Sequence, residues 1–276
     1  MSAPRRVLML HGYTQNASIF SKRVAALRKS CSKDIEFVFV DAPVILYPVD
    51  LANTFSDPNN PDTTNSLAAY GSAEAADADK TDDPTLTPRA WWKTNWDRTS
   101  TDGLEESIEF LKGVLTKGPR FDGIFGFSQG AAMAVILATL LEKPETYPSF
   151  LVDGQPPHPP FSFCVSISGF VPPGPICASL LTPSAPYTTP TLHVMGKNDI
   201  LVVEERSKAL LEVSAKKRVE VHDGGHFVPS KANWRNFFKA YLKQAPADDE
   251  VPSPSPGPSD SAAVTSSGSG TVTPAL

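Results

Sequence analysis

The sequence has few of the residues that mark several classes of protein. Among its 276 residues are three cysteines, Cys31, Cys164 and Cys177, which are widely spaced and form no C-x-x-C pair. This pattern argues against a disulfide framework and predicts reduced, structural thiols. A formal charge of −5 leaves no excess of basic residues, so nucleic acid is not expected as a partner.

Long hydrophobic runs are also missing. The first apolar run follows Arg5 and Arg6 and covers only residues 7–10, which is too short for a secretory signal. No stretch approaches the roughly 18 apolar residues that a membrane span needs. We therefore expect a cytoplasmic or nuclear protein without a membrane span, and the sequence leaves its oligomeric state open.

What the sequence does contain is an alternation of short apolar runs with helical patterns. The apolar runs predict six strands, at 6–10, 36–40, 121–125, 163–167, 191–195 and 218–222. Helices are predicted over 18–30, 129–142, 203–214 and 231–243, and a further helix begins near Asp102, with Glu105 as its capping-box partner. This alternation predicts an α/β fold with a mostly parallel central sheet flanked by helices on both faces.

Two segments interrupt the alternation. Residues 53–88 are acidic, small and punctuated by proline, which is typical of a lid, a binding loop or a disordered insertion. The proline- and serine-rich tail over 245–276 has too little apolar content to order itself, so it is predicted to be disordered. The expected organisation is one domain over 1–244 followed by this tail.

Ser128 is the first candidate for chemistry. It stands in "GFSQG" (126–130), which fits G-x-S-x-G, between a predicted strand and a predicted helix. A sharp strand-to-helix turn crowds its flanks, which explains the glycines, and it presents the serine hydroxyl at a helix amino terminus. The pattern alone is weak, because a small residue in a tight turn would produce it too.

A serine hydroxyl becomes a nucleophile only when a base removes its proton and a carboxylate orients that base. Asp199 follows the strand at 191–195, and His226 stands in a glycine loop after the strand at 218–222. Because carboxyl ends of parallel strands meet at one edge of a sheet, these groups are predicted to converge on Ser128. Asp223 is the rival acid, but it lies too close to His226 in the chain to reach its Nδ1 without strain.

The other histidines have structural interpretations. His222 is expected to be packed or at the surface, His193 in the core, His158 in a solvated loop, and His11 packed beside the site. A zinc site of the H-E-x-x-H type is not expected, because Gly224 and Gly225 interrupt any helix between His222 and His226.

An oxyanion hole needs one N–H from the residue after the nucleophile and another from the loop after an early strand. The first is Gln129. The second is assigned to Tyr13, which follows Gly12 in "LHGYTQN", with neighbouring loop residues not excluded.

With these residues placed, the chain resembles the fungal family of serine hydrolases and its animal relatives. The stretches that carry the resemblance run in family order from about residue 5 to 244: "LHGYTQNASIFSKRVAALRK", "FVFVDAPVIL", "RAWW", "FDGIFGFSQGAA", "FCVSISGF", "MGKNDILV" and "GGHFVP". The resemblance implies an α/β-hydrolase fold, a catalytic set of Ser128, Asp199 and His226, and esterase-type chemistry. As substrates the resemblance implies fatty-acyl esters by analogy with the animal relative, or thioesters by analogy with fungal polyketide-pathway members. The acidic insertion and the tail depart from the family pattern.

The resulting hypothesis is a cofactor-independent serine esterase that acts on medium or long acyl chains and binds no metal. A thioesterase that releases acyl chains from coenzyme A or a carrier protein would use the same groups, and a non-catalytic ligand-binding module is the alternative outside enzymes. Trp91 and Trp92 are expected to be packing anchors or walls of an acyl pocket. The segments 53–92 and 154–162, the latter with Phe161, are the candidate covers of the site.

Overall fold

The computed structural model describes residues 3–55, 83–245 and 251–255. Their eight strands are β1 (Arg5–Leu10), β2 (Ile35–Phe39), β3 (Val44–Ile45), β4 (Arg89–Ala90), β5 (Gly123–Phe127), β6 (Phe163–Ile167), β7 (Thr191–Gly196) and β8 (Lys217–His222). Six form one sheet in the order β2-β1-β5-β6-β7-β8, in which every neighbouring pair is parallel. β3 and β4 form a separate antiparallel pair that the sequence did not predict. All six predicted strands form, with β5 shifted two residues along the chain.

Helices cover both faces of the sheet. They are α1 (Ala17–Arg23), α2 (Ala25–Cys31), α3 (Pro48–Phe55), α4 (Leu104–Thr116), α5 (Gln129–Glu142), α6 (Pro175–Leu180), α7 (Glu204–Glu212) and α8 (Ala232–Gln244). The helix predicted over 18–30 is divided at Val24 into α1 and α2. α1, α2 and α8 pack on one face, while α4, α5, α6 and α7 pack on the other. The predicted α/β class is confirmed.

Strand side chains divide between two cores because they point alternately to opposite faces. In β1, Val7 and Met9 pack with α1, α2 and α8, whereas Leu8 and Leu10 pack with α4 and α5. The helix that follows β5 is apolar all round, and its residues 129–141 are all buried. A helix that is apolar on all sides lies in the interior of a large core. Its packing there fixes the position of the carboxyl end of β5.

The helix predicted to begin near Asp102 forms as α4, but the predicted capping box does not. The helix begins at Leu104 after Gly103, whose φ of +93° is unfavourable for other residues and whose added Cβ would lie 2.8 Å from a methyl group of Val44. The main-chain carbonyl of Asp102 instead accepts a hydrogen bond from Lys93 N–H at 2.7 Å. Asp102 therefore takes part in a tertiary contact of the loop and does not form the predicted capping box with Glu105.

The two segments that interrupt the alternation lie largely outside the described residues. Of the predicted insertion, residues 53–55 end α3 and 83–88 lead into β4. Of the tail, residues 251–255 contact β8 and α8: Ser253 Oγ donates to Glu220 at 2.6 Å, Asn233 Nδ2 donates to the Pro254 carbonyl at 2.8 Å, and Val251 is buried. The predicted disorder is therefore wrong for residues 251–255, while the domain boundary at 244 and the disorder of the rest of the tail stay predictions.

Candidate active site

Ser128 occupies the single position between β5 and α5. Its φ of +55° and ψ of −119° are rare for a residue with a side chain. The conformation is held on both sides, because Ser128 N–H donates to the Ile167 carbonyl at 2.8 Å and its own carbonyl accepts from Ala131 N–H at 2.9 Å. The turn therefore fixes the hydroxyl at the carboxyl edge of the sheet, at the amino terminus of a buried helix.

The two glycines of the pentad are required by close backbone approach. A Cβ on Gly126 would lie 2.1 Å from the Gly130 carbonyl oxygen, and a Cβ on Gly130 would lie 2.3 Å from the Leu10 carbonyl oxygen. These distances are far shorter than any van der Waals contact. Glycine at both positions thus lets the helix begin directly against β1 and β5.

Ser128, His226 and Asp199 form a continuous chain of polar contacts. His226 Nε2 lies 2.9 Å from Ser128 Oγ, and His226 Nδ1 lies 2.8 Å from Asp199 Oδ2. The imidazole and the carboxylate are almost entirely shielded from solvent, with side-chain exposures of 4% and 2%. The three residues that the sequence placed after different strands are therefore brought together, in the geometry that a base between a nucleophile and an acid requires.

The turn after β7 holds the Asp199 carboxylate. Its Oδ1 accepts N–H bonds from Leu201 at 3.0 Å and Val202 at 2.8 Å, which leaves Oδ2 to the imidazole. Burial raises the pKa of this carboxyl, but the hydrogen bond and charge of His226 and the Val202 N–H outweigh it, so its pKa lies below its ordinary value. The carboxylate is thus held in its ionised form.

The rival acid Asp223 and the neighbouring His222 have other surroundings. Asp223 is exposed, and its main-chain carbonyl accepts from the Asn198 side chain at 2.7 Å. His222 packs against Phe227 and Trp234, so of the two predicted alternatives, packed or at the surface, the first is correct.

His193 is buried in the core, and His11 is buried against Trp91 beside the site, both as predicted. His11 donates from Nδ1 to the Gly12 carbonyl and accepts at Nε2 from Ala42 N–H, and burial lowers its pKa to about 4. Burial also lowers the pKa of His193, to about 3. Both imidazoles are therefore neutral near pH 7.

Two expectations about residues 154–162 are wrong. His158 is not solvated but buried, and its Nε2 accepts from Phe121 N–H at 3.0 Å, while Phe161 packs against its ring. Because Phe121 precedes β5 and this segment leads into β6, it lies at the amino edge of the sheet. It therefore cannot cover Ser128, which lies at the opposite edge.

A cleft that is open to solvent adjoins Ser128. Tyr13 and Gln129, the predicted oxyanion-hole residues, both line it. Gln129 is the first residue of α5, so its N–H is among those that a helix leaves without an intrahelical acceptor. Tyr13 is buried, with its hydroxyl 2.8 Å from Thr54 Oγ1.

The two tryptophans have different surroundings. Trp91 is fully buried, and its indole N–H donates to the His11 carbonyl at 2.9 Å. Trp92 lines the cleft and contacts Phe170 edge to face, with ring centroids 6.3 Å apart. The Gln129 side chain joins both residues to α5, because it accepts from Trp91 N–H and donates to the Trp92 carbonyl, each at 2.8 Å.

Sequence reasoning missed the two charged residues of the cleft, Arg98 and Arg206. Each lies close to Leu201, whose carbonyl accepts from Arg98 Nη1 at 2.6 Å. No local motif marks either position. Only the fold brings the loop at 95–100 and the start of α7 to the turn that carries Asp199.

Over the described residues, no group of three or more His, Cys, Asp and Glu side chains has an arrangement that could hold a metal ion. Nor does any helix in those ranges have both the length and the apolar character needed to cross a membrane.

Comparison with known proteins adds a family and a fold. A family model described as "Serine hydrolase (FSH1)" matches residues 1–238. "Esterase OVCA2" of Danio rerio is 32% identical over 259 residues, which cover 88% of this chain and 99% of that protein. "Dihydrofolate reductase" of Schizosaccharomyces pombe is 32% identical over 254 residues, but the chain spans only 49% of that relative's length.

Among solved structures, acyl-protein thioesterase 2 of Zea mays superimposes with a TM-score of 0.51 at 19% identity, covering 88% of this chain and 95% of that one. At this identity the likeness concerns the fold alone.

Proposed function

The chain belongs to the FSH1 family of serine hydrolases and is a serine esterase, and we propose that Ser128, His226 and Asp199 carry its chemistry. The observation that supports these roles is the buried chain of contacts from Ser128 Oγ through the imidazole to the carboxylate. Such a chain is required in serine hydrolases because the hydroxyl is otherwise too weak a nucleophile.

In the acylation half, Ser128 Oγ attacks the acyl carbon of the ester, and His226 Nε2 takes the hydroxyl proton. Asp199 accepts a hydrogen bond from Nδ1–H and stabilises the imidazolium that forms. The N–H groups of Gln129 and Tyr13 bind the negative charge on the former carbonyl oxygen. The tetrahedral intermediate then expels the alcohol, which takes the proton from Nε2, and an acyl-enzyme is left.

In the deacylation half, water replaces the alcohol. His226 accepts a proton from the water as it attacks the acyl carbon, and the second tetrahedral intermediate expels Ser128 Oγ, which recovers its proton from the imidazole. The products are the free acid and the original enzyme. Every step uses groups of this chain and water.

The direct test of the nucleophile is covalent labelling with a fluorophosphonate probe. Wild-type protein should be labelled, and Ser128→Ala should lose both the label and, by about 10⁴-fold or more, the turnover of a p-nitrophenyl ester. Ser184→Ala, which removes an exposed hydroxyl, is the matched control and should behave as wild type. Labelling that persisted in Ser128→Ala would assign the reaction to another serine, and a wild-type protein that took no label would support the non-catalytic module.

The apolar wall of the cleft supports medium or long acyl chains as substrates. Trp92 and Phe170 line one side, and each methylene buried against them is worth about 0.8 kcal/mol. The value of kcat/KM for p-nitrophenyl esters should therefore rise several-fold per added pair of carbons until the cleft is filled. Equal or better turnover of the acetyl ester would contradict the chain-length proposal and leave the esterase chemistry intact.

Thioester hydrolysis is the second candidate, because the same groups can attack a thioester. The observation that favours it is the pair of arginines in the cleft, since coenzyme A and the phosphopantetheine arm of carrier proteins carry phosphate. Paired ester and thioester substrates with one acyl chain would discriminate between the two candidates.

A further inference from the structure

The cleft beside Ser128 has a charge opposite to that of the whole chain. The formal net charge is −5, yet the charged side chains lining this cleft among the described residues are Arg98 and Arg206, with no Asp or Glu in the lining. Positive groups in a concave, partly apolar site act in a lower dielectric than bulk water, which strengthens their attraction for an anion.

Arg98 is held in place by its loop. Its φ of +60° is uncommon for a long side chain, and the loop is fixed by Asn95, whose carbonyl accepts from Arg98 N–H and whose Oδ1 accepts from the N–H groups of Thr99 and Ser100. One guanidinium nitrogen, Nη1, donates to the Leu201 carbonyl. A guanidinium carries five N–H donors, so this contact leaves others for a ligand.

Arg206 is oriented by an aromatic ring. Its guanidinium carbon lies 4.2 Å from the centroid of Phe170, and its Nη1 lies 3.4 Å from the same Leu201 carbonyl oxygen. Stacking on a ring lowers the conformational freedom that binding would otherwise have to remove. Both guanidinium groups therefore lie beside the same carbonyl oxygen on the cleft wall, so that one ligand group could contact both.

We propose that Arg98 and Arg206 bind an anionic oxygen group of the substrate, a carboxylate or a phosphate, while its acyl carbon lies at Ser128. The inference rests on the proposed function, since it names the substrate class of that same site. Planar guanidinium groups match the geometry of carboxylate and phosphate and form charge-assisted hydrogen bonds with both.

The arginines also contact the turn that holds Asp199, since Leu201 N–H donates to Asp199 Oδ1. A purely bracing role would change the turnover of every substrate by a similar factor. A binding role changes the ratio between charged and uncharged substrates. The test therefore measures ratios of kcat/KM within matched pairs.

Two pairs of substrates distinguish an anionic group on the acyl part from one on the leaving group. On the acyl side, monoethyl glutarate is compared with ethyl glutaramate, in which a primary amide replaces the carboxylate. On the leaving-group side, butanoyl-coenzyme A is compared with the N-acetylcysteamine thioester of butanoic acid, which has no phosphate. We expect wild type to prefer the anionic member of at least one pair by about tenfold or more, and the preference to weaken as salt concentration rises.

In the double variant Arg98→Gln with Arg206→Gln, the ratio should fall to about one. Arg28→Gln removes the same charge from an exposed position on α2, on the other face of the sheet, and should keep the wild-type ratio. A wild-type ratio at or below one in both pairs, or an unchanged ratio in the double variant, would overturn the proposal.

A failure of the proposed function has a different signature. Wild type would then take no fluorophosphonate label and would turn over neither member of either pair. The anion site would still be tested by melting temperature, which glutarate should raise and glutaramide should not. Loss of that rise in the double variant supports the site, and equal effects of the two compounds contradict it.

Discussion

His226 Nε2 lies 2.9 Å from Ser128 Oγ, although 98 positions separate the two residues in the chain. The contact depends on parallel strands that end at one edge of the sheet. β5 leads into Ser128, and β8 leads into the loop of His226; β6 and β7 lie between these two strands. The third member, Asp199, follows β7 and approaches the imidazole from the other side at 2.8 Å. Each group is thus carried by a different strand, and the sheet sets their separations.

The orienting acid is tested by two Asp→Asn substitutions. Asp199→Asn keeps the shape of the side chain but cannot hold the productive tautomer of His226, so kcat for a p-nitrophenyl ester should fall on the order of 10⁴-fold. Asp223→Asn is the matched control, because its carboxylate is exposed, and kcat should change less than about tenfold. The reverse ranking of the two variants would assign the acid to Asp223.

The close approach of α5 to β1 is tested with glycine variants. Gly130→Ala would place a Cβ 2.3 Å from the Leu10 carbonyl oxygen, so the free energy of unfolding should fall by about 1–3 kcal/mol or more. Gly113→Ala, within α4, meets nothing within 4 Å and should instead raise it by about 0.5–1 kcal/mol. Urea unfolding measures both, and a Gly130→Ala protein as stable as wild type would show that the helix can shift at no cost.

Two buried histidines make stability dependent on pH. Burial lowers the pKa of His11 to about 4 and that of His193 to about 3, from 6.5 in both cases, so the native state keeps them neutral. The unfolded chain protonates them below about pH 6.5 and thus binds more protons, so stability should fall as the pH drops from about 6.5 to 4.

The variant His193→Gln removes one of these groups. The slope of unfolding free energy against pH should then be smaller by as much as about 1.4 kcal/mol per pH unit, whereas Ser184→Ala should keep the wild-type slope. Identical slopes in wild type and His193→Gln would show that His193 also titrates normally in the native state.

The described part of the tail gives a prediction about truncation. A chain ending at Ser255 should match the full chain in stability and kcat. A chain ending at Gln244 should stay folded and active but lose about 1.5–3 kcal/mol of stability, because it lacks the buried Val251 and the Ser253–Glu220 hydrogen bond. Equal melting temperatures for the two truncations would contradict a stabilising role for residues 251–255.

The sequence predicted the sheet and the candidate site well because both follow from local signals. Hydrophobic runs identified the strands, and the positions of Ser128, Asp199 and His226 just after three of them placed these residues at one edge. Hydrophobic periodicity could not detect α6, which has six residues, or the strands β3 and β4, which have two residues each, because such short segments do not complete a recognisable pattern.

The walls of the cleft could not be predicted in the same way. Which loop reaches Ser128 depends on long-range contacts, such as those of Gln129 with Trp91 and Trp92. For the same reason residues 154–162 were assigned to the wrong edge: their prolines and aromatic ring describe a rigid apolar loop, but nothing in them states which end of the sheet it covers. Arg98 and Arg206 enter the cleft through such contacts as well.

The burial of α5 links the lifetime of the candidate active site to that of the whole core. Because residues 129–141 are all buried, the helix that carries Ser128 at its start cannot separate from the sheet without opening the interior on that face. Local unfolding around Ser128 is therefore costly in free energy. How long the protein keeps its activity at a given temperature should be governed by the barrier to global unfolding, so substitutions far from the cleft that slow unfolding would prolong activity as effectively as any change beside Ser128.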